Sequence, residues 1–180
     1  NGDFKIYPIV ETIQENHICK TVLASENHFS KLQEKVKTIA ETILKELNYV
    51  GVMGIEMFMV REEIIINELA PRVHNSGHYT IEGCYTSQFE NHIRAVTGLK
   101  IGDTNLKEHS SVMINILGRF DGKYTLDFLK ELELNKNSFI HLYGKNENRT
   151  GRKMGHITLT GKDLDELVTE GNKLREQIKI

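Results

Sequence analysis

Ionisable side chains are concentrated in one stretch of the chain, residues 64–80. The stretch begins as a β-branched apolar run, which predicts a buried strand, and continues as a polar loop that contains Pro71 and Gly77. The side chains that could do chemistry there are Asn67, Glu68, Arg72, His74, Asn75, Ser76 and His78. A strand that delivers such groups into a loop supports a site rigidly, although a strand end followed by a solvated loop has the same pattern.

A second acidic residue, Glu56, interrupts the preceding apolar run, residues 54–60. The polar residues 61–63 separate the two runs and predict a short hairpin. A hairpin centred on Glu62 places Glu56 directly across from Glu68, with their Cβ atoms roughly 5 Å apart. By alternation each glutamate shares a face with apolar residues: Phe58 and Val60 for Glu56, and Ile64 and Ile66 for Glu68.

Two neighbouring carboxylates on an apolar face repel each other, and their burial costs several kcal/mol unless something compensates it. A bridging divalent cation is one solution, and hard oxygen ligands with open positions suit Mg²⁺ or Mn²⁺ that carries nucleotide phosphates. The alternative is that one glutamate reaches solvent while the other pairs with Arg72. A register slip of one residue would also separate the two acids, and the sequence leaves both alternatives open.

A basic cluster with glycines follows in the last third of the chain. Lys145, Arg152 and Lys153 lie on two predicted strands, residues 138–143 and 152–160, or in the polar loop between them. Cationic side chains beside the open backbone of glycines are the usual means of binding a phosphate monoester. A basic surface hairpin would have the same composition.

The net charge, the length of the apolar runs and the cysteine content exclude some classes of protein. The net charge is −2 with both signs interspersed, so no basic surface for nucleic acid is expected. No apolar run approaches membrane-spanning length and no signal peptide is visible. Cys19 and Cys84 match no metal or redox spacing, and two free thiols suit a reducing cytosol. We therefore expect a cytoplasmic protein that does not bind membranes.

The remaining pattern predicts an α+β chain. Ser30 with Gln33, and Ser87 with Glu90, could each form a capping box at the start of a helix. Helices are predicted at residues 30–47, 87–97, 125–132 and 163–178, and further strands at residues 4–13, 17–24 and 110–117. We expect the first helix to cover one face of the sheet that holds Glu56 and Glu68.

Several short motifs match one enzyme family. They are Gly51-Val-Met-Gly-Ile-Glu-Met-Phe, Asn67-Glu-Leu-Ala-Pro-Arg-Val-His-Asn-Ser-Gly-His, Thr86-Ser-Gln-Phe-Glu-Asn-His, Tyr143-Gly-Lys and Gly151-Arg-Lys-Met-Gly-His. Together they resemble the N5-carboxyaminoimidazole ribonucleotide synthetases, which are ATP-grasp enzymes of purine biosynthesis, over most of the chain. Many ATP-grasp enzymes carry Glu-x-Asn-Pro-Arg where this chain has Ala70 before Pro71, and alanine cannot ligate a second cation.

The resemblance implies a fold and a domain division. Residues 1–104 would form the C-terminal lobe of an ATP-grasp domain, a mostly antiparallel sheet flanked by helices. Residues 105–180 would form a small β-rich C-terminal subdomain. The chain would be the C-terminal portion of a longer enzyme that forms a homodimer, and we expect the chain alone to be inactive because the adenine-binding lobe lies upstream.

The resemblance also implies the reaction and the roles of the site residues. ATP would phosphorylate bicarbonate to carboxyphosphate, which then carboxylates the amino group of aminoimidazole ribonucleotide. Glu56, Glu68 and Asn67 would hold ATP with Mg²⁺ or Mn²⁺, with the two glutamates as metal ligands. Arg72, His74 and Lys145 would be catalytic, and the substrate would contact Asn75, Ser76, Gly77, His78, Arg152 and Lys153. Two alternatives remain open: another ATP-grasp ligase or transformylase for a different nucleotide, and a non-catalytic binding module.

Overall fold

The computed structural model describes residues 2–61 and 63–180 and shows an α+β fold, as predicted. All strand pairs are antiparallel. The strands are β1 (Val10–Glu15), β2 (Ile18–Ser25), β3 (Gly54–Val60), β4 (Glu63–Ala70), β5 (Ser110–Leu117), β6 (Ser138–Leu142) and β7 (Lys153–Gly161). The helices are α1 (Gln33–Glu46), α2 (Thr80–Gly83), α3 (Gln88–Val96) and α4 (Leu164–Gln177).

Five strands form one sheet in the order β1-β2-β5-β7-β6, and its central strand β5 shows why the sheet has two different faces. Val112, Ile114 and Ile116 point to the face covered by α4 and are fully or almost fully buried. Met113 points to the opposite face, where it packs near Tyr79. Successive side chains of a strand alternate between faces, so β5 contributes to a core on both sides.

Helix α4 covers the first face closely. The Asp163 side chain caps its N-terminus by accepting bonds from the backbone N–H groups of Asp165 and Glu166. A Cβ at Gly171 would lie 2.4 Å from Cδ1 of Ile114, so only glycine permits this approach of helix to sheet. The opposite face of the sheet is left for the segment that carries the candidate site.

Strands β3 and β4 form a separate two-stranded sheet, and this corrects two predictions. The predicted buried strand is exposed, since the accessible fraction is 56% for Phe58 and 48% for Ile65. The predicted cover by α1 is also wrong, because α1 and the hairpin make at most marginal contact within the described residues. The hairpin therefore exposes Glu68 and much of its apolar surface to solvent, whereas Glu56 is half-buried.

Element boundaries differ from the predictions where local hydrogen bonding decided them. Residues 4–9 are not a strand, and residues 30–32 form a 3-10 turn before α1 without the predicted Ser30 side-chain cap. The predicted helix at residues 125–132 is a short 3-10 turn, Asp127–Lys130. Ser87 does cap α3, as its Oγ accepts from the backbone N–H of Glu90 at 3.1 Å.

The five-stranded sheet is continuous across residue 104, because β2 pairs with β5. The division into residues 1–104 and 105–180 stays a prediction. Within the part of the chain that the structure describes, no helix combines the length and apolar character that crossing a membrane requires.

Candidate active site

Glu56 and Glu68 lie directly opposite each other in the β3–β4 ladder, which confirms the predicted pair. The route to this pairing differs from the prediction. Val60 pairs with Glu63 next to the turn, and a β-bulge at Asn67 adds one residue that brings Glu68 back opposite Glu56. The predicted centre of the hairpin, Glu62, lies outside the described residues.

The bulge also changes which side chains accompany Glu68. Glu56 pairs with Glu68 and Phe58 pairs with Ile65, so Glu68 shares its face with Ile65. The predicted neighbours Ile64 and Ile66 are therefore wrong, because the extra residue reverses the alternation on β4.

The acidic pair fits a divalent cation that brings its remaining ligands with it. The two carboxylates share one face, and Nδ2 of Asn67 lies 3.5 Å from Oε2 of Glu56. Among residues 2–61 and 63–180 there is no cluster of three or more His, Cys, Asp or Glu side chains that could hold a metal alone. Two oxygen ligands with open positions match Mg²⁺, which usually retains waters and phosphate oxygens.

His74 lies beside this pair, with its Nε2 3.6 Å from Oε1 of Glu56. Its Nδ1 is 2.8 Å from Oγ of Ser76 and accepts the backbone N–H of Ser76 at 3.4 Å. A backbone N–H only donates, so the proton of the neutral ring is on Nε2, facing Glu56. Burial, opposed by the charge of Glu56, lowers the pKa of His74, which keeps the ring neutral near pH 7.

Residues Asn75–Gly77 form a 3-10 turn that His74 caps and that a buried glutamine holds in place. Oε1 of Gln88 accepts the backbone N–H of His74 at 2.9 Å, and Nε2 of Gln88 donates to the His74 carbonyl at 2.8 Å. A Cβ on Gly77 would lie 2.5 Å from Oε1 of Gln88, so the close approach requires glycine. Arg72 precedes this turn, and its Nη1 donates to the Val73 carbonyl at 3.0 Å.

Asn75 connects the loop to the central sheet and to the basic cluster. It exchanges two amide hydrogen bonds with Asn115 of β5, of 2.9 and 2.8 Å. Nζ of Lys153 donates to Oδ1 of Asn75 at 2.8 Å. Residues 78 positions apart in the sequence thus share one hydrogen-bond network, which brings Lys153 to the loop.

Lys145 and Arg152 are the other two residues of the predicted basic cluster. The Lys145 ammonium lies 5.9 Å from the centre of the Tyr143 ring, and the Tyr143 hydroxyl interacts with Asn75. Burial and the nearby charge of Arg152 lower the pKa of Lys145. Nη1 of Arg152 donates to the Glu147 carbonyl at 3.0 Å, which directs this guanidinium to its own loop. Among these three basic residues of the described chain, Lys153 alone hydrogen-bonds the 3-10 turn.

The imidazole ring of His78, at the end of the loop, packs with those of His141 and His156. The His156 ring lies 4.6 Å from that of His141 and 5.3 Å from that of His78, and its Nδ1 bonds the Tyr143 hydroxyl at 2.9 Å. Nε2 of His141 is 2.7 Å from Oε1 of Glu82. Burial lowers the pKa of His78 to about 4 and that of His156 to about 3. Both rings are therefore neutral at pH 7.

This burial predicts a loss of stability in acid. His156 binds a proton more weakly in the folded protein than in the unfolded chain. Its contribution to the free energy of unfolding is therefore complete above its ordinary pKa and declines as the pH falls from about 6.5 towards 3. We expect His156→Phe to reduce the slope of unfolding free energy against pH by about 1 kcal/mol per pH unit between about pH 6 and 4.5. Urea denaturation at several pH values measures this slope. The exposed His17, changed to Asn, should leave the slope unchanged; an unaltered slope in His156→Phe would contradict the assignment.

Gln88, Asn115 and Tyr143 were not among the predicted site residues. Asn115 carried a usable signal in the sequence, since it is a single amide within the otherwise apolar second half of β5. The structure shows that it is completely buried, where a polar side chain needs hydrogen-bond partners. Gln88 carried none, because a glutamine at the start of a helix is ordinary.

Family models match both parts of the chain. A model of the ATP-grasp domain matches residues 1–89, and a model of the phosphoribosylaminoimidazole carboxylase C-terminal domain matches residues 111–170. The first covers the acidic pair and the loop, and the second covers the basic cluster.

Relatives of known name align with nearly the whole chain. The N5-carboxyaminoimidazole ribonucleotide synthase of Synechococcus elongatus is 37% identical over 99% of this chain and 46% of the relative. The Thermus thermophilus synthetase structure superposes with a TM-score of 0.82, at 41% identity, over 97% of this chain and 46% of that one. The Aspergillus clavatus synthase, solved with ADP and 5-aminoimidazole ribonucleotide, gives a TM-score of 0.84 at 38% identity, over 94% and 46% of the two chains.

The chain spans about half the length of the relatives it matches. The two family models, the curated relatives and the superposed structures all point to one family across both matched parts. The chain belongs to the N5-carboxyaminoimidazole ribonucleotide synthetase family of ATP-grasp proteins.

Proposed function

We propose that the complete protein to which this chain contributes carboxylates 5-aminoimidazole ribonucleotide to its N5-carboxy derivative, using ATP and bicarbonate, in purine biosynthesis. The main support is the hydrogen bond between Lys153 and Asn75, because it brings a cationic side chain suited to phosphate to the loop beside the two paired carboxylates. A nucleotide ligase needs a metal-binding acidic pair, a loop with polar side chains and a phosphate-binding cation within reach of one another. The relatives named above support the choice of substrate.

Glu56 and Glu68, with Asn67 next to them, would hold the ATP phosphates through Mg²⁺ or Mn²⁺. When bound, the cation would neutralise charge on the β- and γ-phosphates. The hairpin keeps the two acids fixed on one face, so the protein does not need to reorganise them for each turnover. Glu68 is exposed and Glu56 is half-buried, so the pair remains accessible to a nucleotide from the solvent side.

Arg72 would bind bicarbonate and the carboxyphosphate formed from it. Its planar guanidinium can donate two parallel hydrogen bonds to such an anion. His74 would take a proton from bicarbonate or from the attacking amine, since burial keeps its ring neutral. The lone pair of His74 Nδ1 accepts from the Ser76 backbone N–H and lies against the Ser76 hydroxyl, so this role requires both contacts to open when the substrate binds.

The ribonucleotide would lie across the loop and the basic cluster. Lys153 and Arg152 would bind its 5′-phosphate, and Asn75, Ser76, Gly77 and His78 would contact the remainder. Lys145, which stands near the Tyr143 ring, would reach the reacting groups and act as the third catalytic residue. We further propose that the complete protein is a cytoplasmic homodimer that binds neither nucleic acid nor membranes.

Phosphate release by the complete protein tests this function. We expect release to require bicarbonate and to rise when aminoimidazole ribonucleotide is added, with radiolabelled bicarbonate entering the product. Stimulation by a different amino nucleotide instead would identify the other ATP-grasp activity. Binding of nucleotide without phosphate release under any condition would identify a non-catalytic module.

The chain of 180 residues should by itself hydrolyse little or no ATP, because the relatives hold about as much protein again. The resemblance assigns the other half of the nucleotide clamp to that additional part. Comparing phosphate release by the chain and by the complete protein, at equal concentration, measures this difference. Bicarbonate-dependent turnover by the chain alone would contradict it.

A further inference from the structure

A single buried side chain, Gln88, forms hydrogen bonds to both histidines of the loop. Only 2% of its surface is accessible, and it begins α3, ten residues beyond His78. Its amide makes three contacts at 2.8–2.9 Å: with the backbone N–H of His74, the carbonyl of His74 and Nδ1 of His78. Its own backbone N–H donates to Oγ1 of Thr80 at 2.9 Å, which anchors the start of the helix to the end of the loop.

The backbone partners determine which way the Gln88 amide faces. The N–H of His74 can only donate, so it must meet the oxygen Oε1. The carbonyl of His74 can only accept, so it must meet the nitrogen Nε2. The same nitrogen faces Nδ1 of His78, and it has only protons to offer. His78 must therefore accept at Nδ1.

This assignment fixes the tautomer of His78. A neutral imidazole that accepts at Nδ1 carries its proton on Nε2. The Nε2 atom of His78 has no hydrogen-bond partner in the described part of the chain. It is also not fully buried, so solvent or a ligand can reach it. The Nε2–H group is thus free to donate to a ligand.

We propose that Gln88 is a positioning residue, which holds the His74 backbone and keeps the His78 proton on Nε2 so that His78 meets the ribonucleotide as a hydrogen-bond donor. This inference rests on the proposed function for the identity of the ligand. It deepens that function by giving His78 one defined role, donation to an oxygen or ring nitrogen of the substrate.

A primary amide of this length is required for the task. Glutamate is isosteric but has no proton for the His74 carbonyl or for Nδ1 of His78. Methionine has similar volume and neither donor nor strong acceptor. Asparagine keeps the amide but is one methylene shorter, so it cannot reach the same three partners.

The first test is spectroscopic and needs no activity. Nitrogen-15 NMR of the histidine side chains in the complete protein, without substrate and at about pH 7.5, reports which ring nitrogen carries the proton. We expect the proton of His78 on Nε2 in the wild type and on Nδ1 in Gln88→Glu, where the carboxylate can only accept. A wild-type His78 protonated on Nδ1 overturns the proposal without any variant.

The second test is kinetic, with Gln88→Glu, Gln88→Met and the shorter Gln88→Asn. We expect kcat/KM for aminoimidazole ribonucleotide to fall about 10- to 100-fold in all three, since displacement of a positioned group by about 1 Å has this effect. KM for ATP should stay within about twofold of wild type, because the acidic pair is untouched. Gln33→Glu, the same change at an exposed position in the first turn of α1, serves as the control and should alter neither parameter.

The two tests separate the two proposals. If no carboxylation of aminoimidazole ribonucleotide is found, the proposed function fails while the NMR result still decides the role of Gln88. If carboxylation is found but Gln88→Glu and Gln88→Met turn over this substrate like the wild type, the positioning role of Gln88 is wrong and the proposed function stands.

Discussion

Replacement of Glu68 by glutamine in the complete protein is expected to lower kcat for carboxylation at least about 100-fold. Glutamine keeps the size of the side chain but removes one of the two charges that face each other across the hairpin. A neutral amide is a weak ligand for a hard cation, so the apparent requirement for Mg²⁺ should rise as well. Steady-state rates over a series of Mg²⁺ concentrations measure both effects.

The fold should not change in this variant, because Glu68 is exposed and its strand is held by backbone bonds to β3. Circular dichroism and the thermal midpoint should match the wild type. Glu63→Gln is a suitable control, since Glu63 begins the same strand and lies outside the acidic pair. Near-normal turnover of Glu68→Gln would remove Glu68 from the proposed metal site.

Replacement of Arg72 by lysine is expected to lower kcat at least about 100-fold and to raise KM for bicarbonate. Lysine keeps the positive charge but cannot form two parallel hydrogen bonds with a planar anion. It also lacks the Nη1 group that bonds the Val73 carbonyl and orients the side chain. Bicarbonate titrations at saturating ATP measure the change.

The ATP dependence of Arg72→Lys should remain close to that of the wild type, which separates a bicarbonate site from a general loss of structure. Arg94→Lys provides the comparison, because Arg94 is on α3 and pairs with Glu90 on the exposed side of that helix. A bicarbonate KM that is unchanged in Arg72→Lys would assign this guanidinium to another step.

Local sequence patterns predicted the elements that carry a continuous apolar run or a regular apolar repeat. β5 is observed at residues 110–117, as predicted, because its apolar side chains alternate between two covered faces. α4 is observed within one residue of its predicted bounds, because Asp163 caps it and its apolar residues repeat at helical spacing. Prediction was poorer for residues 4–9 and 30–32, where the pattern is short and neighbouring hydrogen bonds decide the conformation.

The acidic pair shows the limit of such prediction. Counting from an assumed turn centre gave the pairing of Glu56 with Glu68, yet the structure reaches this pairing through an earlier turn and a bulge at Asn67. Two deviations of one residue cancelled. A bulge depends on how two strands twist together, and a single sequence does not state this.

The sequence by itself determined which chemical groups the protein offers: paired acids, an Arg-His-Asn-Ser loop and a later basic cluster. Only the tertiary structure decided which of them meet. Asn75 reaches Lys153 because β5 and β7 are neighbours in the sheet, and Gln88 reaches His74 and His78 because the loop folds back over the start of α3. Contacts between distant segments depend on sheet order and packing, whereas side-chain types and their local spacing are written along the chain.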